Sequence, residues 1–299
     1  MSTPQSNHTK GLLLTAIGGL TLTVDIPMIK LSGGDAWTVL MIRSGMTFIA
    51  ALCIWAVWRA ISPSAPVLVP GRKGAAVAAL YACSSIAFLT AVFNTSTANV
   101  VFILAFNSMF AALLSWIFLK ERPRPATLVT MAVMLVGVTI IVSDGMKAGN
   151  LFGDMVAVCA SFLIACAITI SRSSSRDMGL TPLVAAILPF MVALFAVTQQ
   201  GGMQIEAPWW IVLNGAIIIP LSFYCLAAGP RYISGPEVAM FYLLETVLAP
   251  IWVWLIFSEI PSQRSLIGGS ILITALIGHS LWQITHGNSR RAARAPRHS

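Results

Sequence analysis

Three ionisable residues, Asp25, Arg43 and Glu245, stand well inside long apolar runs of the sequence. A charge at the centre of a membrane helix costs about 2.5–3.5 kcal/mol on insertion scales, so each of them needs a physical reason. A carboxylate in such a place can pair with a guanidinium, bind an ammonium group or carry a proton. The chemistry on offer is therefore the recognition of a small charged solute or a fixed contact between helices.

Asp25 and Arg43 fall at similar depths on consecutive apolar runs, about 7.5 Å and about 9 Å from the same end at the helical rise of 1.5 Å per residue. Pairing would offset the desolvation of both groups, and a guanidinium suits a fixed carboxylate partner. Three interpretations stay open. The pair is a static tie between two helices, an outer gate, or a site for the two charged ends of a zwitterion.

Pro27 lies in the same run as Asp25. Its ring removes a backbone donor and frees the carbonyl near Thr23, so we expect a kink or break there. Neighbouring glycines in this run add local freedom. We hypothesise that the first helix contains a hinge at Pro27.

Glu245 lies about 13.5 Å from the inner end of its run, hence near mid-membrane, and Asn107 lies at the same depth in another run. We predict that these two residues mark a central cavity. The alternative is a hydrogen bond that stabilises the helix bundle. Aromatic residues that would form the walls of a site for a small amphipathic ligand, or that simply pack, are Tyr81, Phe106, Tyr224 and Tyr242.

Two ionisable side chains are candidates for carrying a proton, Glu245 and His279. His279 lies in the inner half of the last apolar run, where an imidazole can shuttle protons or pack through a hydrogen bond. Glu245 could instead bind an ammonium group.

The elements that position these residues follow from the composition. Only 9% of the 299 residues are charged and 57% are hydrophobic, whereas a soluble domain carries about 25% charged residues. This excludes a cytosolic enzyme, a disordered chain and a secreted disulfide scaffold. Ten apolar runs are each long enough for a helix that crosses a bilayer, at about 11–30, 37–58, 74–93, 98–119, 126–142, 151–171, 181–198, 208–228, 236–257 and 264–284.

Basic residues orient the predicted bundle. Lys30, Lys147 and Arg264 fall on one side, and Arg43 lies inside a run. The other fourteen of the 18 basic residues fall on the opposite side, which is therefore cytoplasmic and holds both termini. They are Lys10, Arg59, Arg72, Lys73, Lys120, Arg122, Arg124, Arg172, Arg176, Arg231, Arg290, Arg291, Arg294 and Arg297.

The chain contains an internal repeat. Residues 97–123 and 235–261 align without gaps at an offset of 138, and both segments contain the pattern W-x4-E-x-P, which ends in Glu121–Pro123 and Glu259–Pro261. The offset pairs Asn107 with Glu245 and maps the fourth run onto the ninth. A five-span repeat enters the membrane from opposite sides, so the two halves are inverted. We predict repeats at 1–145 and 146–285 and a basic cytoplasmic tail at 286–299.

This arrangement resembles the drug/metabolite transporter superfamily, EamA type, and the aromatic amino acid exporters are one branch to which the chain could belong. The resemblance implies an all-α integral membrane protein that exports small metabolites across the inner (plasma) membrane, with aromatic or other neutral amino acids as the leading substrates. Drugs and nucleotide-type metabolites are the alternative cargo. Glu121 and Glu259 are expected to be helix-end signals at the interface rather than substrate ligands.

Other classes of function leave little trace in the sequence. No lysine follows a glycine, so there is no Walker A motif, and HExxH and GxSxG are absent. The cysteines show no metal-ligand spacing. An integral-membrane enzyme or a purely structural membrane protein is the distant alternative. We expect no cofactor, no metal and no nucleic acid partner. The expected partners are a small-molecule substrate, the lipid bilayer, and protons or a counter-substrate, with the protein acting as a monomer.

Overall fold

A computed structural model of the chain describes residues 4–62, 67–120, 122–174, 178–228, 232–233 and 235–294. The secondary structure of these residues is entirely helical, with no strand among them. Ten helical stretches are long and apolar enough to cross a membrane. Because a lipid-exposed backbone must satisfy its hydrogen bonds within the segment, helices are the form that such sequences take. The protein is thus a multi-pass membrane protein.

The stretches are named span 1 to span 10 in chain order, and six of them are single helices. These are span 2 (Ala36–Ile61), span 3 (Gly71–Asn94), span 5 (Pro125–Ala148), span 6 (Leu151–Arg172), span 9 (Gly235–Phe257) and span 10 (Gln263–Arg294). The other four are divided. They are span 1 (Pro4–Leu22 and Asp25–Leu31), span 4 (Thr97–Ala105 and Asn107–Leu119), span 7 (Thr181–Val184 and Ile187–Gln199) and span 8 (Pro208–Leu213, a π-helical turn at Asn214–Ile218, and Ile219–Ala228).

Span 1 breaks where its proline predicts. The helix stops at Leu22, Thr23 and Val24 donate to carbonyls only three residues back, and the helix restarts at Asp25. Pro27 lacks an N–H and its ring displaces the carbonyl four residues earlier, which is that of Thr23. Span 4 divides at Phe106, immediately before Asn107. Both breaks lie beside residues that the sequence singles out.

The helix pairings have an internal symmetry. Two kinds of helix pairing show this symmetry. In the first kind, one pairing becomes another when each span is exchanged with the span five places away: spans 3 and 6 become spans 8 and 1, and spans 4 and 6 become spans 9 and 1. In the second kind, the pairing becomes itself, as for spans 2 and 7, 4 and 9, and 5 and 10. Such a pattern is typical of inverted repeats.

The main core lies at the centre of the bundle, around residues such as Ile26, Leu40, Leu89, Ile103 and Leu272, which are at most 2% exposed. Large apolar side chains also cover the outside of the bundle, among them Phe118, Phe195 and Leu255. An outer surface of this kind is suited to lipid.

All ten predicted spans are confirmed, with shifts at the ends. Span 1 begins at Pro4 rather than near residue 11, and the helix of span 10 continues to Arg294, so the start of the predicted tail is helical. Residues 295–299 lie outside the described part of the chain. The predicted boundary between the repeats falls near the end of the span 5 helix, just before the turn at Gly149.

Candidate functional site: a central cavity

A cavity of about 540 Å³ lies between the two halves of the bundle. Every span except span 5 contributes to its wall. The wall reaches from Asp25 and Arg43 to Pro182, the second residue of span 7. The cavity therefore extends from the middle of the bundle towards the end at which span 7 begins, which is the end predicted to be cytoplasmic.

Asp25 and Arg43 meet at one end of this cavity. Arg43 donates from Nη2 to Asp25 Oδ2 over 2.8 Å and from Nε to Asn214 Oδ1 over 3.2 Å. Asn214 completes the cluster by donating from Nδ2 to Asp25 Oδ1 over 2.8 Å. The side chains of Asp25 and Arg43 are only 4% and 11% exposed, so each charge depends on the other for its compensation.

The amide of Asn214 is a member of this cluster that sequence reasoning missed. It is fully buried and opens the π-helical turn of span 8, where the wider turn interrupts the regular ladder of hydrogen bonds. Pro220, two residues beyond the turn, cannot donate to that ladder. The depth argument applied to Asp25 and Arg43 could have found Asn214, because it lies six residues from the start of span 8, close to the seven residues that separate Arg43 from the start of span 2.

Spans 2 and 8 approach closely at this point. A side chain on Gly215 would collide with the backbone carbonyl of Arg43, so only glycine allows the two helices to lie this near. Thr47 donates to the carbonyl oxygen of Gly215 over 3.1 Å and ties the helices together. Asn214 is thereby held against Arg43 by the backbone as well as by its amide.

Glu245 lines the same cavity from span 9. In the described part of the chain its carboxyl group forms no hydrogen bond or ion pair, although the charges of Asp25 and Arg43 are close enough to act on it. Tyr81 and Tyr242 also line the cavity. Tyr242 is close enough to both Tyr81 and Glu245 for their charges to act on it. The cavity thus contains a carboxyl that lacks a partner among the described residues, with the Tyr242 ring near it and the Tyr81 ring near that of Tyr242.

Asn107 lines the cavity as well, at the start of the second helix of span 4. The two residues that the repeat offset pairs, Asn107 and Glu245, therefore face the same space. The roles of these residues in binding stay predictions.

Two of the predicted aromatic residues lie elsewhere. Phe106 is 3% exposed and packs edge-on against Phe110, with ring centroids 4.9 Å apart. Tyr224 is 59% exposed and does not belong to the cavity wall. Phe88 and Phe223 line the cavity in their place. The sequence gives the depth of each ring in the membrane but not the direction in which its helix turns it.

The structure does not bring His279 together with Glu245. His279 lines a separate, apolar cavity of about 660 Å³ between spans 5 and 10. Its ring lies parallel to that of Trp282, at 6.2 Å between centroids, and contacts Gln283. A proton relay that joins the two residues has no support in this arrangement.

The other end of the bundle, predicted to be extracellular, is closed by contacts between the halves. Glu259 pairs with Lys30 of span 1 and accepts a hydrogen bond over 2.7 Å from the backbone N–H of Thr97, the first residue of span 4. The carboxylate thus caps a helix N-terminus, where the helix dipole favours an anion. Glu121, its predicted counterpart, lies outside the described residues.

A second set of contacts closes the same end. Asp154 of span 6 accepts hydrogen bonds from Thr95, over 2.6 Å, and from Asn99 of span 4, over 3.0 Å. Asn99 in turn accepts one from Ser265 of span 10 over 2.5 Å. These bonds connect the first half of the bundle to the second half.

Comparison with known proteins agrees with this architecture. Residues 9–143 match the model of the EamA-like transporter family. The first half of the chain is therefore similar to this family. The match covers spans 1 to 5, up to the last turns of span 5, which is the extent of the first predicted repeat.

One relative and one solved structure extend the comparison. An uncharacterized transporter from Synechocystis sp. is 25% identical over 202 residues, which are 62% of this chain and 58% of the relative. The match thus spans little more than half of the relative's length. A solved structure, titled only as the crystal structure of a protein, is 14% identical with a TM-score of 0.63, over 92% of this chain and 98% of the other. That likeness concerns the fold alone.

Proposed function

We propose that the protein is a secondary transporter that exports small amphipathic metabolites across the inner membrane. The observation that carries the proposal is the cavity between the two halves, where the carboxyl of Glu245 has no partner among the residues that the structure describes. A carboxyl without a partner inside a membrane bundle is costly. A solute or a proton that binds it would remove that cost, which a purely structural residue would not require.

Alternating access is the mechanism that fits this geometry. The predicted outer end is closed by Lys30, Glu259 and the Asp154 contacts, while the cavity extends towards the opposite end. We propose that this is the inward-facing state and that the two halves rock about the cavity, as inverted repeats allow. The protein would act as a monomer, coupled to protons or to a counter-substrate.

Two substrate classes are candidates. Neutral amino acids, aromatic ones included, follow from the family resemblance, and Glu245 would accept their ammonium group. Cationic drugs and amines are the second candidate, because Arg43, the only basic residue among the described residues of the cavity wall, is already paired with Asp25. The same pairing argues against nucleotide-type metabolites, whose phosphates need unpaired cations.

The proposal is tested with purified protein in liposomes loaded with labelled amino acids, amines and nucleosides. We expect movement of at least one ammonium-bearing solute and its loss in Glu245→Gln. Glu206→Gln is the matched control, since it makes the same chemical change at an exposed residue outside the cavity. Equal transport by all three proteins, or transport by none, would contradict the proposal.

A further inference from the structure

We propose that the substrate of the central cavity is an amphipathic organic cation, an amine without a free carboxylate, rather than a zwitterionic amino acid. This inference rests on the proposed function and narrows it to one chemical class. It follows from which charged groups of the cavity already have a partner in the protein.

The positive charge of the cavity, that of Arg43, is already neutralised by an ion pair. Arg43 donates to both Asp25 and Asn214, its side chain is 11% exposed, and its guanidinium lies 5.5 Å from the centre of the Phe88 ring. Both oxygens of Asp25 and both ends of the Asn214 amide are engaged in the same cluster. A substrate carboxylate would have to compete with Asp25, which is held on two sides.

Acidic groups outnumber basic ones in the cavity wall. Among the described residues of the wall, Asp25, Arg43 and Glu245 carry side chains that can ionise near neutral pH, and with all three ionised their charges of −1, +1 and −1 leave −1. Glu245 has no hydrogen-bond partner in the described part of the chain. In a site of low dielectric, one added positive charge is attracted and an added carboxylate is repelled by both acids.

The remaining wall suits the apolar part of such a cation. Tyr242 lies near Glu245 and Tyr81 lies near Tyr242, so an ammonium group held by the carboxylate would also be close to aromatic rings, whose faces attract cations. Most of the other side chains in the wall are apolar, for example Leu104 and Ile164. A small aromatic amine would satisfy both parts of the cavity.

The experiment compares three ligands of one shape in proteoliposomes: phenylalanine, phenylalaninamide and phenethylamine. The last two keep the ammonium group and the ring but have no carboxylate. We expect both amines to be bound and moved at least about tenfold more efficiently than phenylalanine, a difference of about one order in binding constant. Glu245→Gln should abolish the preference, whereas Glu245→Asp, which keeps the charge, and Glu206→Gln should retain it.

The outcomes separate the two proposals. Preference for phenylalanine over the amines overturns the cation assignment and leaves the transporter intact. Transport of solutes that carry no ammonium group, with none of these three ligands moved, also overturns the cation assignment and leaves the transporter intact. No transport of any solute overturns both proposals. Because the ligand ranking is measured on the unaltered protein, it stands even where Glu245→Gln fails to fold.

Discussion

Lys30 and Glu259 form an ion pair across the closed end of the bundle, 229 residues apart in the chain. The same separation of 229 joins Thr23 to Trp252, and His8 to Glu237. A constant separation means that spans 1 and 9 run parallel and in one register over their whole length. Span 1 therefore carries one contact to span 9 at each end and one beside its break.

The Lys30–Glu259 pair should act as an outer gate, with His8–Glu237 at the opposite end of the same two spans as a natural control. Half-buried pairs contribute about 1 kcal/mol, so Lys30→Gln should increase the outward-open population about fivefold. The measurement is the rate at which an impermeant thiol reagent labels Ser44→Cys from outside, in a background without the native cysteines. His8→Gln should leave the rate unchanged. Equal labelling rates in all variants would contradict a role of the Lys30–Glu259 pair as a gate.

The Asp25–Arg43 pair should contribute strongly to stability. Removing one partner of a buried pair leaves an uncompensated charge and costs about 3–5 kcal/mol. Asp25→Asn and Arg43→Gln should each lower the free energy of unfolding by this amount in detergent micelles, and the double variant by less than the sum. Arg264→Gln tests the comparison, since Arg264 is half-exposed and 3.8 Å from Asp144, and it should cost under about 1 kcal/mol.

The depth and the type of these residues could be predicted, but not their direction. Hydropathy predicts ten spans, and the repeat offset pairs Asn107 with Glu245, because both depend on composition and spacing along the chain. The failures have one physical cause. Phe106 and Tyr224 have the predicted depth, yet packing turns both of them away from the cavity. A helix of low amphipathicity gives no signal of its rotation, and lipid and core are equally apolar.

Acidification should weaken binding of a cationic substrate. A proton and an ammonium group compete for the carboxylate of Glu245, which shares the cavity with Asp25, Arg43, Tyr81 and Tyr242, so lowering the pH adds a competitor. A quaternary ammonium such as phenyltrimethylammonium keeps its charge at every pH and is the suitable probe. Its dissociation constant should rise up to about tenfold per pH unit on acidification.

The control for the pH experiment is Glu245→Gln, which cannot exchange a proton at this position. Its weaker binding should not vary with pH. A pH dependence that survives in this variant would assign the proton to another group.

Pro27 should permit the bend that alternation needs. Pro27→Ala restores a donor and allows the helix to continue through Thr23 and Val24, which should slow exchange between states at least about threefold without changing substrate affinity. Transport rate and equilibrium binding are measured separately. Pro250→Ala is the matched variant, since Pro250 lies in span 9, whose helix is continuous. Unchanged rates in Pro27→Ala would contradict a hinge.

The π-helical turn at Asn214–Ile218 contains one residue more than an α-helical turn. That extra residue sets the directions in which the side chains before and after the turn point. A residue added to an α-helix rotates all that follows by about 100°, and the wide turn absorbs that rotation locally. Deleting a single residue from this turn would leave a more regular helix, yet it would swing either Asn214 or the cavity residue Phe223 out of place. Span 8 can therefore tolerate exchanges of apolar side chains far better than any change in its length.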